Sequence, residues 1–159
     1  MIIIVTGSVC TGKTTIAKFL AKKLKLKYID VNRLIKENKL YESYNKKFQS
    51  YEVDVKKLNK FFIKLIKNKN NLILDSHMSH YLPKKCVDYC VICKCELKEL
   101  KKRLKFRKYS EDKIRENLDA EIFEVCQIEA LENKHNVIVV DTTKKNFNKS
   151  LNEIIKKIK

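Results

Sequence analysis

The stretch that most restricts the fold is GSVCTGKTT, residues 7–15, because it contains both glycines of a chain of 159 residues. It follows the apolar run MIIIVT and precedes TTIAKFLAKKLKL, whose apolar residues recur at helical spacing. Residues 7–14 satisfy G-x-x-x-x-G-K-[ST], the phosphate-binding P-loop that joins a strand to a helix. The sequence therefore predicts a nucleotide-binding site at this turn.

Each fixed position of the loop has a chemical reason. Gly7 and Gly12 permit backbone dihedrals and a close approach that a β-carbon would prevent. The helix that begins near Lys13 directs its positive end toward an anion. We expect Lys13 to reach the β- and γ-phosphates of ATP, and the Thr14 hydroxyl to bind Mg²⁺. The candidate ATP contacts in the loop are Gly7, Ser8, Cys10, Gly12, Lys13, Thr14 and Thr15.

Strands and helices alternate along the rest of the chain. The strand candidates are MIIIVT, LKYID, NLILD, CVDYCVIC and NVIVVD, and lysine-rich amphipathic helices separate them. This order predicts an α/β fold of the P-loop NTPase type, with a five-stranded parallel sheet covered by helices on both faces. We expect one domain over residues 1–159, since this length suits a single core.

Three local predictions are less regular. The segment YESYNKKFQSYEV has no clear period and is interpreted as a loop. Asp54 is the expected N-cap of the helix DVKKLNKFFIKLIKNKN. Ser110 is the expected N-cap of one long helix, SEDKIRENLDAEIFEVCQIEALE, with Lys113 where a capping box favours an acid.

Charge and hydropathy bound the partners. Lys plus Arg is 36 and Asp plus Glu is 19, which gives a net charge of +17. This charge favours nucleotides, RNA or acidic protein surfaces, although a lysine-rich coding bias produces the same value. No apolar run reaches the roughly 18 residues of a membrane span. MIIIVTGSVC also lacks the basic start and the apolar length of a signal peptide. We therefore expect an intracellular protein with no membrane partner.

The cysteines invite a metal interpretation. Cys86, Cys90, Cys93 and Cys95 cluster, but they lack the repeated CxxC spacing of common zinc sites. Three of them lie in VDYCVICKC, where a buried strand uses cysteine as a small hydrophobe. The buried strand is the favoured interpretation, and zinc is the alternative.

Asp75 ends the apolar run NLILD, which places it at the carboxyl edge of a parallel sheet, where ligands bind. An acid at this position holds Mg²⁺ in many P-loop proteins, so Thr14 and Asp75 are the candidate metal site. A capping or solvated aspartate is the alternative. His77 follows two residues later and is a candidate for orienting a water or the transferring phosphate, or else an ordinary loop histidine. His80 has no comparable claim.

Two arginines extend the predicted ATP site. Arg103 and Arg107 are four residues apart on one predicted helix and therefore share a face. Guanidinium groups cover adenine rings and clamp phosphate oxygens. The alternative is a solvated basic helix. Lys144 completes the candidate ATP-binding set.

The motifs together resemble those of the adenylate kinase isoenzyme 6 family, which has nuclear members in eukaryotes and small archaeal relatives. The resemblance runs in order over nearly the whole chain, and its most specific part is YSEDKIRENLDAEI. The matching stretches are GSVCTGKTT, YIDVNRLIKENKLYESY, LDSH, and RLKFRKYSEDKIRENLDAEIF followed by EA.

The resemblance implies a nucleoside monophosphate kinase-like fold with two further segments. A monophosphate-binding segment is carried onto about residues 30–53, and a short lid onto about residues 106–116. Family members transfer phosphate from ATP to AMP and some other monophosphates, and they also hydrolyse ATP. They act in maturation of the small ribosomal subunit and bind one of its proteins, which implies pre-ribosomal RNA as a setting. The expected location is cytoplasmic for an archaeal-type protein and nuclear for a eukaryotic one.

The resemblance also assigns residues. The family's acid-x-His pair, linked to ATP hydrolysis, maps to Asp75 and His77, and its lid arginine maps to Arg107. With Lys13, these form the expected catalytic set. In the monophosphate helix the family's arginine is Lys36 here, and Arg33 is the residue expected to compensate for it.

The chain departs from the family pattern at several positions. Val9 and Cys10 replace the Pro-Gly of G-x-P-G-x-G-K-T, so Cys10 carries backbone strain if this position needs a positive φ. Asn32-Arg33 replaces Gly-Asp before the monophosphate helix. Lys108 replaces the glycine of the lid's Arg-Gly-Tyr, which predicts a stiffer hinge.

Three functions remain open from the sequence. The first is a monophosphate kinase that uses ATP and Mg²⁺. The second is an ATPase assembly factor whose nucleotide state changes its grip on a ribosomal protein or RNA. The third is a kinase for another small acceptor.

Overall fold

The apolar runs form a five-stranded parallel sheet in the computed structural model, which describes residues 1–67, 70–144 and 148–158. The spatial order is β2-β5-β1-β6-β7, and every neighbouring pair is parallel. The prediction of a five-stranded parallel sheet is confirmed. The five strands are β1 (Ile2–Thr6), β2 (Lys27–Asp30), β5 (Leu72–Asp75), β6 (Tyr89–Lys94) and β7 (Val137–Asp141).

Helices cover both faces of the sheet, as expected from strands that are buried on both sides. On one face, Leu20 and Leu151 pack in the cluster that contains Val5 of β1. On the other face, Leu58 packs in the cluster that contains Ile4 of the same strand. The helices are α1 (Lys13–Leu24), α2 (Val31–Glu37), α3 (Val55–Lys67), α4 (Leu97–Phe106), α5 (Glu111–Ile122), α6 (Val125–Glu132) and α7 (Asn148–Ile158).

The loop interpretation of YESYNKKFQSYEV is wrong, because the segment forms an antiparallel hairpin of β3 (Tyr41–Asn45) and β4 (Ser50–Val53). Both faces of this hairpin are largely exposed, so its sequence lacks the alternation that marks a half-buried strand. Tyr51 packs against the rings of Tyr41 and Tyr44, with centroids 4.6 and 5.0 Å away. Aromatic cross-strand pairs thus stabilise the hairpin instead of core burial.

The single long helix after Ser110 is also wrong, because the chain breaks into α5 and α6 at Glu124, which has φ +50°. The Glu124 carboxylate pairs with Lys94 at the end of β6, which favours this bend. The predicted caps are confirmed. The Ser110 Oγ accepts the Lys113 N–H at 3.2 Å, and an Asp54 carboxylate oxygen accepts backbone N–H groups of the following turn.

Two further boundaries differ from the prediction. The strand predicted from CVDYCVIC begins only at Tyr89. The preceding residue, Asp88, lies outside the strand, and its Oδ2 accepts the Ile2 N–H at 2.6 Å. Residues 68–69 of the helix predicted from DVKKLNKFFIKLIKNKN lie outside the described residues.

The predicted burial of the cysteines is confirmed for Cys90, Cys93 and Cys95. Within residues 1–67, 70–144 and 148–158, no group of three or more histidine, cysteine and acidic side chains is placed to hold a metal ion. None of the helices in these ranges has the length and apolar character needed to cross a membrane.

Candidate functional site

The P-loop glycines occupy backbone that other residues tolerate poorly. Gly7 has φ +142°, and a β-carbon there would lie 2.4 Å from the Cys93 carbonyl oxygen. Gly12 has φ +85° and begins α1. The adjacent Thr142 hydroxyl donates to the Thr11 carbonyl at 2.6 Å, which fixes the loop from the side of β7. Both predicted roles for glycine therefore have a geometric basis.

Cys10 has φ +67°, so the expected strain at the fourth loop position is present. A left-handed backbone costs a residue with a β-carbon about 1–2 kcal/mol. Burial raises the pKa of the Cys10 thiol, although four cations around it oppose this shift: Arg107, Lys13, Arg103 and Lys113. The loop therefore faces a strongly positive environment, which suits a polyphosphate.

Lys13 lies at the start of α1 and folds back over the loop. Its Nζ donates to the Ser8 carbonyl at 2.6 Å. Burial lowers the pKa of Lys13 from its ordinary value. A backbone carbonyl compensates an ammonium group only in part, so a phosphate oxygen is the stronger partner that this group can take.

Thr14 and Asp75 meet directly at the carboxyl edge of the sheet. The Thr14 hydroxyl donates to Asp75 Oδ2 at 2.6 Å, and the Tyr28 hydroxyl donates to the same oxygen at 2.9 Å. Asp75 is buried at the end of β5. A hydroxyl beside a carboxylate is a donor set that Mg²⁺ prefers, so the two residues fit the predicted metal role.

Tyr28 was missed by the sequence reasoning. It lies on β2, beside β5, and its hydroxyl holds the carboxylate of Asp75 in place. Burial, followed by the negative charge of Asp75, raises the pKa of Tyr28. Its position in KYID gives no signal without knowledge that β2 and β5 are neighbours.

His77 follows the sheet edge and is exposed to solvent. Partial desolvation by neighbouring protein atoms, and then the charges of Lys13 and Lys113, lower the pKa of His77 from its ordinary value. The imidazole is therefore neutral near pH 7 and keeps one nitrogen lone pair. This state suits a side chain that orients a water by accepting a hydrogen bond from it, and it disfavours transfer of a proton to the ring.

The two arginines of α4 have different environments. Arg103 donates from Nη2 to the Thr142 and Thr143 carbonyls at 2.8 and 3.1 Å, and from Nε to Glu99 at 2.9 Å. Arg107 is exposed at the end of the helix. Arg103 thus anchors the loop after β7, while the guanidinium of Arg107 is open to a ligand.

Lys144 follows that same loop and is exposed. Its proposed contact with ATP stays a prediction, as does the covering of adenine by the arginines. The structure places Lys144 directly after Thr143, whose carbonyl oxygen accepts from Arg103.

Arg33 and Lys36 lie on the exposed side of α2. The Arg33 Nε pairs with Glu37 Oε1 at 2.6 Å, and the Lys36 Nζ lies 5.3 Å from the ring centre of Tyr51. Among the described residues, neither side chain hydrogen bonds to the P-loop. Their role toward a monophosphate stays a prediction.

Helix α5 holds the P-loop through residues that the sequence reasoning missed. Asn117 Oδ1 accepts the Val9 N–H at 2.9 Å. Glu121 accepts from the Ser8 hydroxyl and from the Cys95 N–H, both at 2.8 Å. The two residues are four apart and share a helix face. Nothing in the sequence of this largely polar helix distinguishes these two residues from its solvated ones.

The hairpin and the lid meet across the front of the site. Ser110 donates from its N–H to Gln49 Oε1 at 2.9 Å and from its hydroxyl to the Lys47 carbonyl at 3.0 Å. Lys47 also lies 3.8 Å from Asp112. Residues of the predicted monophosphate segment therefore contact residues of the predicted lid.

His80 has a structural place behind the loop. Its Nδ1 accepts from the Thr6 hydroxyl at 2.9 Å, and its Nε2 donates to Glu129 Oε2 at 2.7 Å. Tyr81 donates to the same carboxylate oxygen at 3.0 Å. Burial lowers the pKa of His80, although Glu129 opposes the shift. This network joins the end of β1 to α6.

The sheet order, the P-loop after the central strand and the acid on the neighbouring strand define a P-loop kinase fold. Solved structures share it. YorR from Bacillus subtilis, in complex with phosphorylated GDP, has a TM-score of 0.65 at 20% identity, covering 99% of this chain and 95% of that one. Shikimate kinase from Bacteroides thetaiotaomicron has a TM-score of 0.65 at 16% identity, with coverage of 99% and 98%.

Sequence relatives define the family. Residues 3–124 match the family model described as an AAA domain. A Methanocaldococcus jannaschii protein named "Putative adenylate kinase" is 38% identical over 159 residues, covering 100% of this chain and 86% of that protein. A Pyrococcus furiosus protein of the same name is 42% identical over 155 residues, with coverage of 98% and 82%. The chain belongs to this adenylate kinase-like family of AAA-domain proteins.

Proposed function

We propose that the protein is an adenylate kinase-type enzyme that transfers the γ-phosphoryl group of ATP to AMP or another nucleoside monophosphate. The observation that carries the proposal is the group of Lys13, Thr14 and Asp75 at the P-loop, with the hairpin in contact with residues of the proposed lid. The names of the archaeal relatives support the same substrates.

Catalysis in this proposal is positioning and charge neutralisation. The P-loop amides and Lys13 bind the terminal phosphates of ATP, and Arg107 approaches them from the lid. Thr14 and Asp75 would hold Mg²⁺, which neutralises charge on the phosphates when it is bound. The acceptor phosphate oxygen is already anionic, so the transfer needs no general base. Contact between the hairpin and the lid excludes water from the reacting groups.

The acceptor is proposed to lie against residues 30–53, with Arg33 and Lys36 as phosphate ligands. Both cations are exposed on α2, beside the hairpin, and are paired only with surface groups. Surface pairs contribute little, so a phosphate displaces them at small cost.

We also propose a second activity at the same site, hydrolysis of ATP. The neutral, exposed imidazole of His77 supports it, since such a group orients and accepts from a water. The alternative function is therefore an ATPase assembly factor with little kinase activity, related to the isoenzyme 6 branch. The net charge of +17 supports a ribosomal protein or pre-ribosomal RNA as its partner.

One assay separates the two functions. ADP formation is measured with and without AMP in the wild type, in His77→Ala and in His77→Gln. A rate that depends on AMP and survives both substitutions supports the kinase. A rate of equal size without AMP that both substitutions abolish supports the ATPase and contradicts the kinase.

The acceptor is identified by a screen of nucleoside monophosphates against small non-nucleotide acceptors. We expect monophosphates, AMP foremost, to raise the rate of ATP consumption. If only a non-nucleotide alcohol raised the rate, the acceptor would be that class of alcohol and not a nucleoside monophosphate. For the alternative function, co-sedimentation with small ribosomal subunits should change between ATP and ADP.

A further inference from the structure

Lys113 has a buried stem and no ionic partner among the described residues. It lies in the first turn of α5, within the proposed lid, and the residue as a whole is only 6% exposed. Its backbone N–H donates to the Ser110 hydroxyl, while its Nζ makes no hydrogen bond or salt bridge with a described residue. Nζ is not one of the enclosed atoms that lack a partner, so the stem is buried while the ammonium group stays accessible to an anionic ligand.

The position of Lys113 on the helix disfavours its positive charge. The first turn of a helix favours negative charge, because the backbone N–H groups give this end a partial positive charge. The neighbouring acid is Glu116, which partly offsets the effect of burial, and burial still lowers the pKa of Lys113. The Tyr109 ring lies 5.9 Å from Nζ, near the outer limit of a cation–π contact. The helix end and the burial of the residue therefore both disfavour a positive charge here, which an anionic ligand would offset.

The same helix face places Lys113 at the phosphate site. Lys113, Asn117 and Glu121 are spaced by four and form one stripe along α5. Asn117 accepts a hydrogen bond from Val9 of the P-loop, and Glu121 accepts one from Ser8. The first member therefore lies beside the far end of the loop, and its charge acts on Cys10, Lys13 and His77.

We propose that Lys113 binds the terminal phosphates of ATP from the lid side, opposite Lys13. This inference rests on the proposed function and names a further ligand of its donor nucleotide. A phosphate oxygen supplies the ionic partner that the protein does not provide. Asn117 and Glu121 hold α5 against the P-loop. The distance between Lys113 and the loop is therefore fixed before a nucleotide binds.

The test uses Lys113→Met, which keeps the length and apolar stem of the side chain. Its control is Arg115→Met, which removes one positive charge from the exposed side of the same helix. Calorimetry measures the binding of a non-hydrolysable ATP analogue with Mg²⁺, of ADP and of AMP. We expect Lys113→Met to weaken the ATP analogue about 10- to 100-fold, the range of one charge-assisted hydrogen bond. The affinity for ADP should fall by a smaller factor, and the affinity for AMP should fall less than about 2-fold.

Two further measurements separate binding from a structural role. Without nucleotide, Lys113→Met should unfold at about the same temperature as the wild type, because Met keeps the buried stem and only the accessible ammonium group is removed. With the ATP analogue, its thermal shift should be smaller than that of the wild type. Lys113→Arg should restore part of the affinity, and Arg115→Met should bind within about 2-fold of the wild type.

Each outcome bears on the inference. Wild-type affinity and turnover in Lys113→Met would overturn it. A lower unfolding temperature of the nucleotide-free variant, with no change in affinity per folded molecule, would make Lys113 structural and would also overturn it. A wild-type protein that does not bind the ATP analogue would instead refute the proposed function, and this result is visible before any variant is made.

Discussion

The two ends of the cleft are held in different ways. At the phosphate end, Asn117 and Glu121 accept hydrogen bonds from the P-loop and Thr142 donates one to it, and these groups are buried or partly buried. At the acceptor end, the hairpin β3–β4 relies on exposed contacts, such as those that Ser43 and Asn45 make to Glu52. Buried hydrogen bonds thus hold the phosphate end, and exposed hydrogen bonds hold the acceptor end.

This difference indicates which end is fixed before substrate arrives. Leaving a buried donor or acceptor unpaired costs about 1–3 kcal/mol, whereas exposed ion pairs contribute about 0–1 kcal/mol. The P-loop therefore keeps its shape without nucleotide, and the hairpin is the segment that adjusts at low cost. Selectivity for the acceptor should depend on the adjustable end, and ATP binding on the fixed one.

The largest expected effect is at the fixed end. Lys13→Ala should lower ADP formation at least about 100-fold, with or without AMP, because the ammonium group that neutralises the transferring phosphate is lost. A coupled assay measures the rate. Lys22→Ala, on the exposed side of the same helix, should keep the wild-type rate. Retained turnover in Lys13→Ala would contradict the P-loop assignment.

Paired stability measurements sharpen the comparison directly. Glu121→Ala removes the acceptor of two hydrogen bonds to the loop region and should lower the free energy of unfolding by about 2–3 kcal/mol. Glu52→Ala removes two hydrogen bonds on the exposed hairpin and should leave it unchanged within error. Urea unfolding measures both. Equal losses would show that the two ends are built alike.

A smaller effect is expected on acceptor binding. Arg33→Ala should raise the KM for AMP about 10-fold and leave the KM for ATP unchanged, since one charged hydrogen bond to the monophosphate is lost. Lys60→Ala, an exposed change on α3, serves as the control and should alter neither constant. A parallel rise in both KM values would place Arg33 outside the acceptor site.

Backbone strain gives a still smaller effect. Cys10→Gly should raise the free energy of unfolding by about 0.5–1 kcal/mol, because relief of the left-handed backbone exceeds the entropic cost of glycine. Cys10→Val should lower it, since a branched β-carbon tolerates this conformation least. Thermal unfolding of the three proteins tests the order Gly, Cys, Val. The reverse order would mean that φ at this position is not strained.

The network behind the loop predicts a shallow pH dependence. Burial holds the pKa of His80 below its ordinary value of 6.5, with Thr6, Glu129, Tyr81 and His135 as its neighbours. Below pH 6.5 the unfolded chain thus binds more protons than the folded one, and stability falls as the pH drops. His80→Gln should reduce the loss of stability as the pH falls below about 6.5. An unchanged slope would show that this imidazole titrates normally.

The parts of the fold that the sequence predicts are those with strong local chemistry. The glycines of the P-loop and the continuous apolar strands leave few alternatives, so the parallel sheet and the positions of Lys13, Thr14 and Asp75 follow from pattern alone. The hairpin was missed because neither of its faces is buried. The break at Glu124 was missed because no glycine marks its left-handed backbone.

The missed site residues share a different cause. Tyr28, Asn117 and Glu121 act on groups that are distant in sequence, and they become adjacent only through the strand order and the packing of α5. Their residue types are ordinary for a strand and a helix. Nothing local distinguishes them from solvated polar residues, so tertiary structure was needed to find them.

The central claim is that one cleft holds ATP at the P-loop and a monophosphate against residues 30–53 at the same time. Calorimetric titration with a dinucleotide that joins two adenosines through five phosphates tests this most directly. We expect this dinucleotide to bind at least about 100-fold tighter than ATP alone, in competition with both ATP and AMP, because its two halves occupy linked sites. An affinity no better than that of ATP, with AMP binding unaffected, would contradict it.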